Sequence, residues 1–298
     1  MMNKRKLVVI GGDAAGMTAA SKVRREQPER EIIVFERGNH TSYAACGMPY
    51  YIGGQVESAE HLIARKPEIF REEHNIDVRI RHEVTEIDHK NKCVKVRNPG
   101  KEMDFWEPWD DLLIATGASP IVPKMENIDA NGVFALSTLQ SGIDVFNFIK
   151  ANKPAKAVVV GGGYIGIEMS EAFLGRSLDV TLIDMAPQLM ATLDKDMADL
   201  LLEYMKEQHV KVFLQEKLVK IEKNEDGRVK SVITDKQTQR ILGGQIVGFQ
   251  GAAKRIDTIV TAVSSGLTVQ QLMDLDLAYA PPFSTAWDPV QIAARALR

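Results

Sequence analysis

Cys46 stands in the run Ser42-Tyr43-Ala44-Ala45-Cys46-Gly47-Met48-Pro49-Tyr50-Tyr51, among small residues and just ahead of a glycine and a proline. Such a segment should open a helix or turn, whose free N–H groups favour the thiolate, the nucleophilic and redox-active form of the side chain. Thr41 lies five residues before it and Tyr51 five after it, so no second cysteine is nearby for a two-cysteine disulfide. Any disulfide, persulfide or sulfenic state at Cys46 must then be completed by a small molecule or an oxidant. The competing reading, a buried structural cysteine, suits Cys93 better. In Lys92-Cys93-Val94-Lys95-Val96 that thiol alternates with polar residues, as in a packed hairpin strand.

Two glycine turns offer a second kind of chemistry. The first, Gly11-Gly12-Asp13-Ala14-Ala15-Gly16, keeps the outer glycines of the G-x-G-x-x-G pattern and has Asp13 in place of the middle one. A helix starting there presents unpaired N–H groups and the positive end of its dipole to a pyrophosphate. The Asp13 side chain must then point away from the phosphates. Glu36, 25 residues after Gly11 and followed by Arg37, is placed to bind a ribose hydroxyl. The second turn, Gly161-Gly162-Gly163-Tyr164-Ile165-Gly166, is complete, and its acid Asp184 comes 23 residues on.

One such turn could be a bare strand–helix connector. Two, each after an apolar strand and each followed by a strand-terminal acid, point to two dinucleotide sites. A 2'-phosphate would be repelled by Asp184; Met185 and Ala186 offer no compensating cation and only Lys195 could reach, so NADH is favoured over NADPH. Ala115-Thr116-Gly117, ending an apolar strand before Pro120, lets the chain pass close to the first nucleotide. The plainer reading there is an ordinary strand-to-loop exit.

The elements that must hold these residues are duplicated too. Residues 6–11, 14–27 and 31–36 read as strand, helix and strand, a right-handed βαβ unit with parallel strands. Residues 157–161, 164–176 and 179–184 repeat it. Between them the sequence predicts a helix near 67–73, hairpin strands from 78 to 96, a strand at 111–115, and linkers at 117–123 and 151–154. Beyond Gly227 strands are predicted at 229–233 and 240–247, and helices at 252–265, 268–275 and 289–297.

The chain has 298 residues, 45% hydrophobic and 26% charged, with a net charge of -3 and two cysteines. It contains no run of about 18 uncharged apolar residues to span a membrane. The apolar stretch Leu7-Val8-Val9-Ile10 is shorter than the ~7–15 residues of a signal-peptide core. Near-neutral charge argues against nucleic acid as the main partner, no metal site is expected, and two cysteines without a disulfide framework suit the cytoplasm.

The Gly11 turn, the Cys46 segment, Ala115-Thr116-Gly117 and the Gly161 turn fall in an order that resembles the single-cysteine flavoprotein disulfide reductases. Among these are the coenzyme A-disulfide reductases, the NADH-dependent coenzyme A persulfide or polysulfide reductases and the NADH oxidases. Gly243-Gly244-Gln245-Ile246-Val247-Gly248, Lys254-Arg255-Ile256-Asp257 and Leu277-Ala278-Tyr279-Ala280-Pro281-Pro282-Phe283-Ser284 look like that family's dimerisation domain.

The resemblance implies an α/β fold with two Rossmann-like domains and a C-terminal α+β dimerisation domain. An FAD domain would span 1–120, an NAD(P)H domain 121–236 and the dimerisation domain 237–298, in a homodimer. It implies FAD on Gly11, Gly12, Ala15, Gly16, Glu36, Arg37, Ala115, Thr116 and Gly117. It implies NAD(P)H on Gly161, Gly163, Tyr164, Ile165, Gly166 and Asp184, with Tyr164 covering the flavin. Coenzyme A would meet Lys22, Arg25, Ser42 and Trp287. Cys46 would alternate between thiolate and mixed disulfide against the flavin, and Tyr279 would serve as proton donor.

One family feature is missing: the second half of the nicotinamide domain and a flavin-binding Gly-Asp segment, which would fall between about 229 and 240. Two other readings stay open. One is an NADH oxidase or peroxidase working through a Cys46 sulfenate; the other is a shortened, non-catalytic dimerising protein.

Overall fold

The computed structural model describes residues 5–98, 100, 103–225, 227–236, 252–275, 290, 291 and 294. Two compact units emerge: Met1–Ala157 with Tyr164–Val180 and Lys223–Val229, and Val158–Gly163 with Thr181–Glu222 and Lys230–Arg298.

In the first unit, β1 (Lys6–Ile10) leads through the glycine turn into α1 (Ala14–Glu26) and then β2 (Glu31–Glu36). Val8, Val9, Ile33 and Val34 are buried, so both faces of these strands are covered, as a parallel sheet requires. A 3₁₀ turn at Ala45–Gly47 runs into the short helix α2 (Met48–Gly53); α3 (Pro67–Glu72) and β3 (Asp77–Ile80) follow. The chain continues through β4 (Glu83–Asp88), β5 (Cys93–Asn98) and β6 (Met103–Pro108) to β7 (Asp111–Ile114).

The parallel strands lie in the order β3-β2-β1-β7. The order reverses at β1, so ligands are expected outside its C-terminal end, where Gly11 sits. Met17 and Ala20 of α1 close one face against Leu7, Val9, Ile32 and Val34. The antiparallel ladder β4-β5-β6 closes the other, with Val94, Val96 and Phe105 on Val8, Ile33 and Phe35.

Residues 77–80 therefore belong to the parallel sheet and not to the hairpin expected from 78 to 96, because Val34 and Phe35 offer β3 a buried edge. Residues 151 and 152, expected in a linker, end the helix α4 (Leu139–Asn152), whose Thr138–Ser141 capping box fixes its start. That helix turns off at Lys153, which adopts φ 46°.

The second βαβ unit is β8 (Lys156–Val160), α5 (Tyr164–Gly175) and β9 (Asp179–Asp184). Next come α6 (Lys195–Glu207), a helix not foreseen in the sequence, and β10 (Lys211–Leu214), giving a sheet in the order β10-β9-β8. The strands β11 (Glu216–Lys223) and β12 (Val229–Lys236) pair across a turn. Helices α7 (Ala252–Ser264) and α8 (Val269–Met273) share a small core of Ala262, Leu272, Val290 and Ala294. The strand expected at 240–247 lies outside the described residues.

Truncating Ile32, 1% exposed between α1 and the sheet, to alanine should cost about 2–5 kcal/mol through lost burial and a residual cavity. Urea unfolding of Ile32→Ala measures this; a midpoint matching the parent's would contradict the packing described.

Candidate active site

At the first turn Gly11 adopts φ +107°, and a Cβ there would lie 2.1 Å from the Ala115 carbonyl oxygen. A Cβ on Gly16 would lie 1.9 Å from the Gly11 carbonyl oxygen. Glycine at both positions lets β1, α1 and the exit from β7 converge.

The Glu36 carboxylate accepts from the Gly12 N–H at 2.8 Å and the Gly38 N–H at 2.6 Å. The Gly12 carbonyl accepts from the Ser42 N–H at 3.1 Å and from the buried Thr41 hydroxyl. The Asp13 carboxylate accepts from the Tyr43 N–H at 3.3 Å, so it is turned toward the segment that carries the thiol. Arg37 lies on the surface, its guanidinium 3.5 Å from the Ser119 hydroxyl just beyond Thr116 and Gly117. Gly117 is in the left-handed region with open space around it.

From Ser42, itself at φ 50°, the chain bridges antiparallel to residues 62–64. Ala44 N–H donates to the Leu62 carbonyl at 2.7 Å, and Ala64 N–H to the Ser42 carbonyl at 2.8 Å. Gly47 lets the next turn settle on Leu62, since a Cβ would come 2.5 Å from its Cδ2. Met48, Tyr51 and Ile52 of α2 are buried against α4 and α5. Tyr51 stacks on Phe146 with ring centres 4.5 Å apart, and the Arg176 Nε donates to the Ile52 carbonyl at 2.7 Å.

On this anchored frame Cys46 is an exposed free thiol in the 3₁₀ turn ahead of α2. Cys93 is half-buried in β5, and burial, then the carboxylates of Asp88 and Glu86, push its thiol up and away from reactivity.

The second turn repeats the design. Gly161 has φ +113° and its N–H donates to the Ile183 carbonyl at 2.8 Å. Asp184 accepts from the Gly162 N–H and, at 2.6 Å, from the Ala186 N–H. Added Cβ atoms at Gly161 and Gly163 would face open space. Gly166 lies one turn into α5, its carbonyl accepting from the Ser170 hydroxyl at 2.8 Å, while Tyr164 and Ile165 are exposed at the helix start. Lys195, the cation expected to reach toward a ribose phosphate, is held by Asp199 at 2.7 Å.

The residues implied for coenzyme A divide. Arg25 and Ser42 line one cleft of about 310 Å³ between α1 and residues 64–70, together with Thr18, Ser21, Arg65 and Phe70. Lys22 does not line it and pairs with Glu26 at 3.4 Å. The α1 lining falls at 14, 17, 18, 21 and 25, a helical stripe visible in the sequence, and Lys22 is about 80° from its centre. Tyr279 and Trp287 lie outside the described residues. Among the described residues no group of three His, Cys, Asp or Glu side chains could hold a metal ion, and no helix is long and apolar enough to cross a membrane.

Glycine turns closed by carboxylates at two strand ends suit the riboses and pyrophosphates of two dinucleotides, the arrangement of a two-nucleotide redox protein. Residues 5–275 match the model of the pyridine nucleotide-disulphide oxidoreductases, and the chain belongs to that family. It is 40% identical over 235 residues to the NAD(P)H sulfur oxidoreductase (CoA-dependent) of Pyrococcus furiosus, covering 78% of this chain and 51% of that protein. It is 33% identical over 217 residues to the coenzyme A disulfide reductase of Staphylococcus haemolyticus, covering 73% and 49%. The solved structure of reduced Bacillus anthracis CoADR-RHD is similar over 99% of this chain and 80% of that one, with a TM-score of 0.73 and 25% identity. The chain spans about half the length of the curated relatives it matches.

The Tyr43 phenol is pushed above the ordinary tyrosine range by burial, and further by the Asp13 and Glu36 carboxylates. The native state thus holds this proton more tightly than the unfolded chain, where the value is about 10. The resulting stability is complete below that value and is lost as pH rises through the native one. Tyr43→Phe should flatten the decline in unfolding free energy between about pH 9 and 11. Equal slopes for parent and variant in urea melts would rule this out.

Proposed function

We propose that this chain is the nucleotide-binding and thiol-bearing part of a flavoprotein that passes electrons from NAD(P)H through FAD and Cys46 to a coenzyme A disulfide, persulfide or polysulfide. The observation that carries the reading is an exposed lone thiol on a segment hydrogen-bonded to the first glycine turn. The cradle at Gly11, Gly12, Ala15 and Gly16, closed by Glu36, fits the dinucleotide part of FAD. Ala115, Thr116 and Gly117 pass beside it, and Arg37 lies at its rim. The turn at Gly161, Gly163, Tyr164, Ile165 and Gly166, closed by Asp184, fits NAD(P)H. When bound, this pair supplies the two electrons that return Cys46 from mixed disulfide to thiol.

The chain's own steps are short. The Cys46 thiolate attacks one sulfur of the substrate disulfide; a new Sγ–S bond forms, the old S–S bond breaks, and a coenzyme A thiolate (or, from a persulfide, a hydrosulfide) leaves. Tyr279 is the proposed proton donor to that leaving group. Arg25 and Ser42 hold the coenzyme A from the cleft beside α1, and Trp287 lines the channel. Both carboxylate oxygens of Asp184 face N–H groups and Lys195 is engaged elsewhere, which favours NADH. Domains at 1–120, 121–236 and 237–298, with a homodimer formed through the last, complete the proposal. A working free thiol suits the reducing cytoplasm.

The test is anaerobic NADH oxidation with coenzyme A disulfide by the purified full chain. Cys46→Ser should keep a yellow flavin spectrum and lose disulfide turnover; turnover retained in that variant would remove Cys46 from the chemistry. Oxygen consumption without disulfide would favour the oxidase reading, and a colourless protein that dimerises the non-catalytic one. In the same assay Asp184→Ala should narrow the NADH-over-NADPH preference in kcat/KM roughly tenfold, since the carboxylate that repels the 2'-phosphate is gone. An unchanged ratio would show that Asp184 does not discriminate.

A further inference from the structure

The cleft beside α1 is unusual in its charges. Most cations around it are engaged. Arg24 donates to the Pro28 and Asn75 carbonyls at 2.6 and 2.5 Å. Lys22 pairs with Glu26, Lys66 with Glu60 at 2.9 Å, and Arg71 with Glu68 at 2.6 Å. Arg25 and Arg65, which line the cleft, are shown with no carboxylate partner among the described residues, and no carboxylate is among the cleft's lining.

Arg65 is nevertheless ordered. Its guanidinium lies over the Phe70 ring at 5.2 Å from the centroid, and Phe70 is 2% exposed, a fixed floor. A guanidinium stacked on its face keeps its edge N–H groups for a second partner. Arg65 and Arg25 line the cleft together with the hydroxyl-bearing Thr18, Ser21 and Ser42, so donors and uncompensated positive charge border the same space. Phosphate oxygens match that pattern, and guanidinium binds them in bidentate geometry.

We propose that Arg65 is a specificity-determining residue of this cleft. With Arg25 it clamps the phosphorylated end of the substrate, so that the chain selects its disulfide by phosphate groups remote from the reacting sulfur. The inference rests on the coenzyme A reading above and adds a residue that the family resemblance did not supply, on the side of the cleft opposite α1.

Calorimetric titration of the full chain with coenzyme A, with dephospho-coenzyme A, which lacks the 3'-phosphate, and with pantetheine, which lacks all phosphates, tests it. Arg65→Ala should weaken coenzyme A binding about ten- to a hundredfold, the usual range for losing a charged hydrogen-bond partner. Pantetheine should bind parent and variant alike. Arg65→Lys, which keeps the charge without the stacked fork, should fall between, and Lys66→Ala should match the parent. Dephospho-coenzyme A assigns the phosphate: a loss confined to coenzyme A marks the 3'-phosphate, and a loss shared by both marks the pyrophosphate. Either supports the clamp.

Arg65→Ala binding coenzyme A as tightly as the parent would overturn the clamp and leave the coenzyme A reading standing. So would equal weakening toward pantetheine, which signals a general structural effect. A parent chain with no affinity for any of the three would overturn both. Arg65 is exposed, so thermal melts of the variants should coincide with the parent's.

Discussion

Gly12 is held from both sides: its N–H by the Glu36 carboxylate at 2.8 Å, its carbonyl by the Ser42 N–H at 3.1 Å and the Thr41 hydroxyl. Through this one residue the acid of β2, the glycine turn and the thiol-bearing segment share a position. A Cβ on Gly12 would fall 2.9 Å from the Glu36 Cβ, so the arrangement also requires glycine there. Thr41 is 1% exposed, and a hydrogen bond to a carboxylate or from a buried hydroxyl is costly to leave unmade. The place of Cys46 relative to the turn is thus set four residues away, where the chain is most constrained, while the thiol itself stays open to solvent.

The second turn uses the same device and stops short of the chemistry. Asp184 takes the Gly162 N–H and the N–H two residues on, as Glu36 takes those of Gly12 and Gly38. The Gly162 carbonyl accepts from the Met190 N–H at 2.8 Å, where Gly12 accepts from Ser42. The segments that follow then diverge. Ser42 and Met190 are both left-handed, at φ 50° and 48°, but after Asp184 the chain buries Leu189 and Met190, whereas after Glu36 it buries Thr41 and goes on to an exposed cysteine. The duplicated turns thus differ in what the return segment carries, an exposed thiol in one copy only.

The strand–glycine–helix units were legible in the sequence because local rules place them. Four-residue apolar runs ended by glycine leave little choice, and β2 and β9 begin and end where their sequence pattern does. The misses are cases where distant partners decide. Residues 77–80 alternate like a hairpin strand, and nothing local reveals that the buried partner is the parallel strand β2. The helix or turn expected after Cys46 is α2, marked locally by Pro49 at its start and the left-handed Gly54 at its end and held by Met48, Tyr51 and Ile52 against α4 and α5. Of the residues that the resemblance implies for coenzyme A, Arg25 lines the cleft and Lys22 pairs with Glu26. The position of Arg65 over Phe70 is not legible locally, because that floor forms only once α3 folds against the sheet.

Asp13 explains how a turn that lacks its middle glycine still serves. A carboxylate aimed into a pyrophosphate cradle would oppose the charge the helix dipole attracts. Here the side chain is spent on the Tyr43 N–H, and its charge falls on the half-buried phenol of Tyr43, whose proton it helps to retain. The residue that departs from the glycine pattern is therefore the one that binds the return segment a second time, one residue beyond the bond at Ser42. The aspartate thus fixes the path toward Cys46 at a second point.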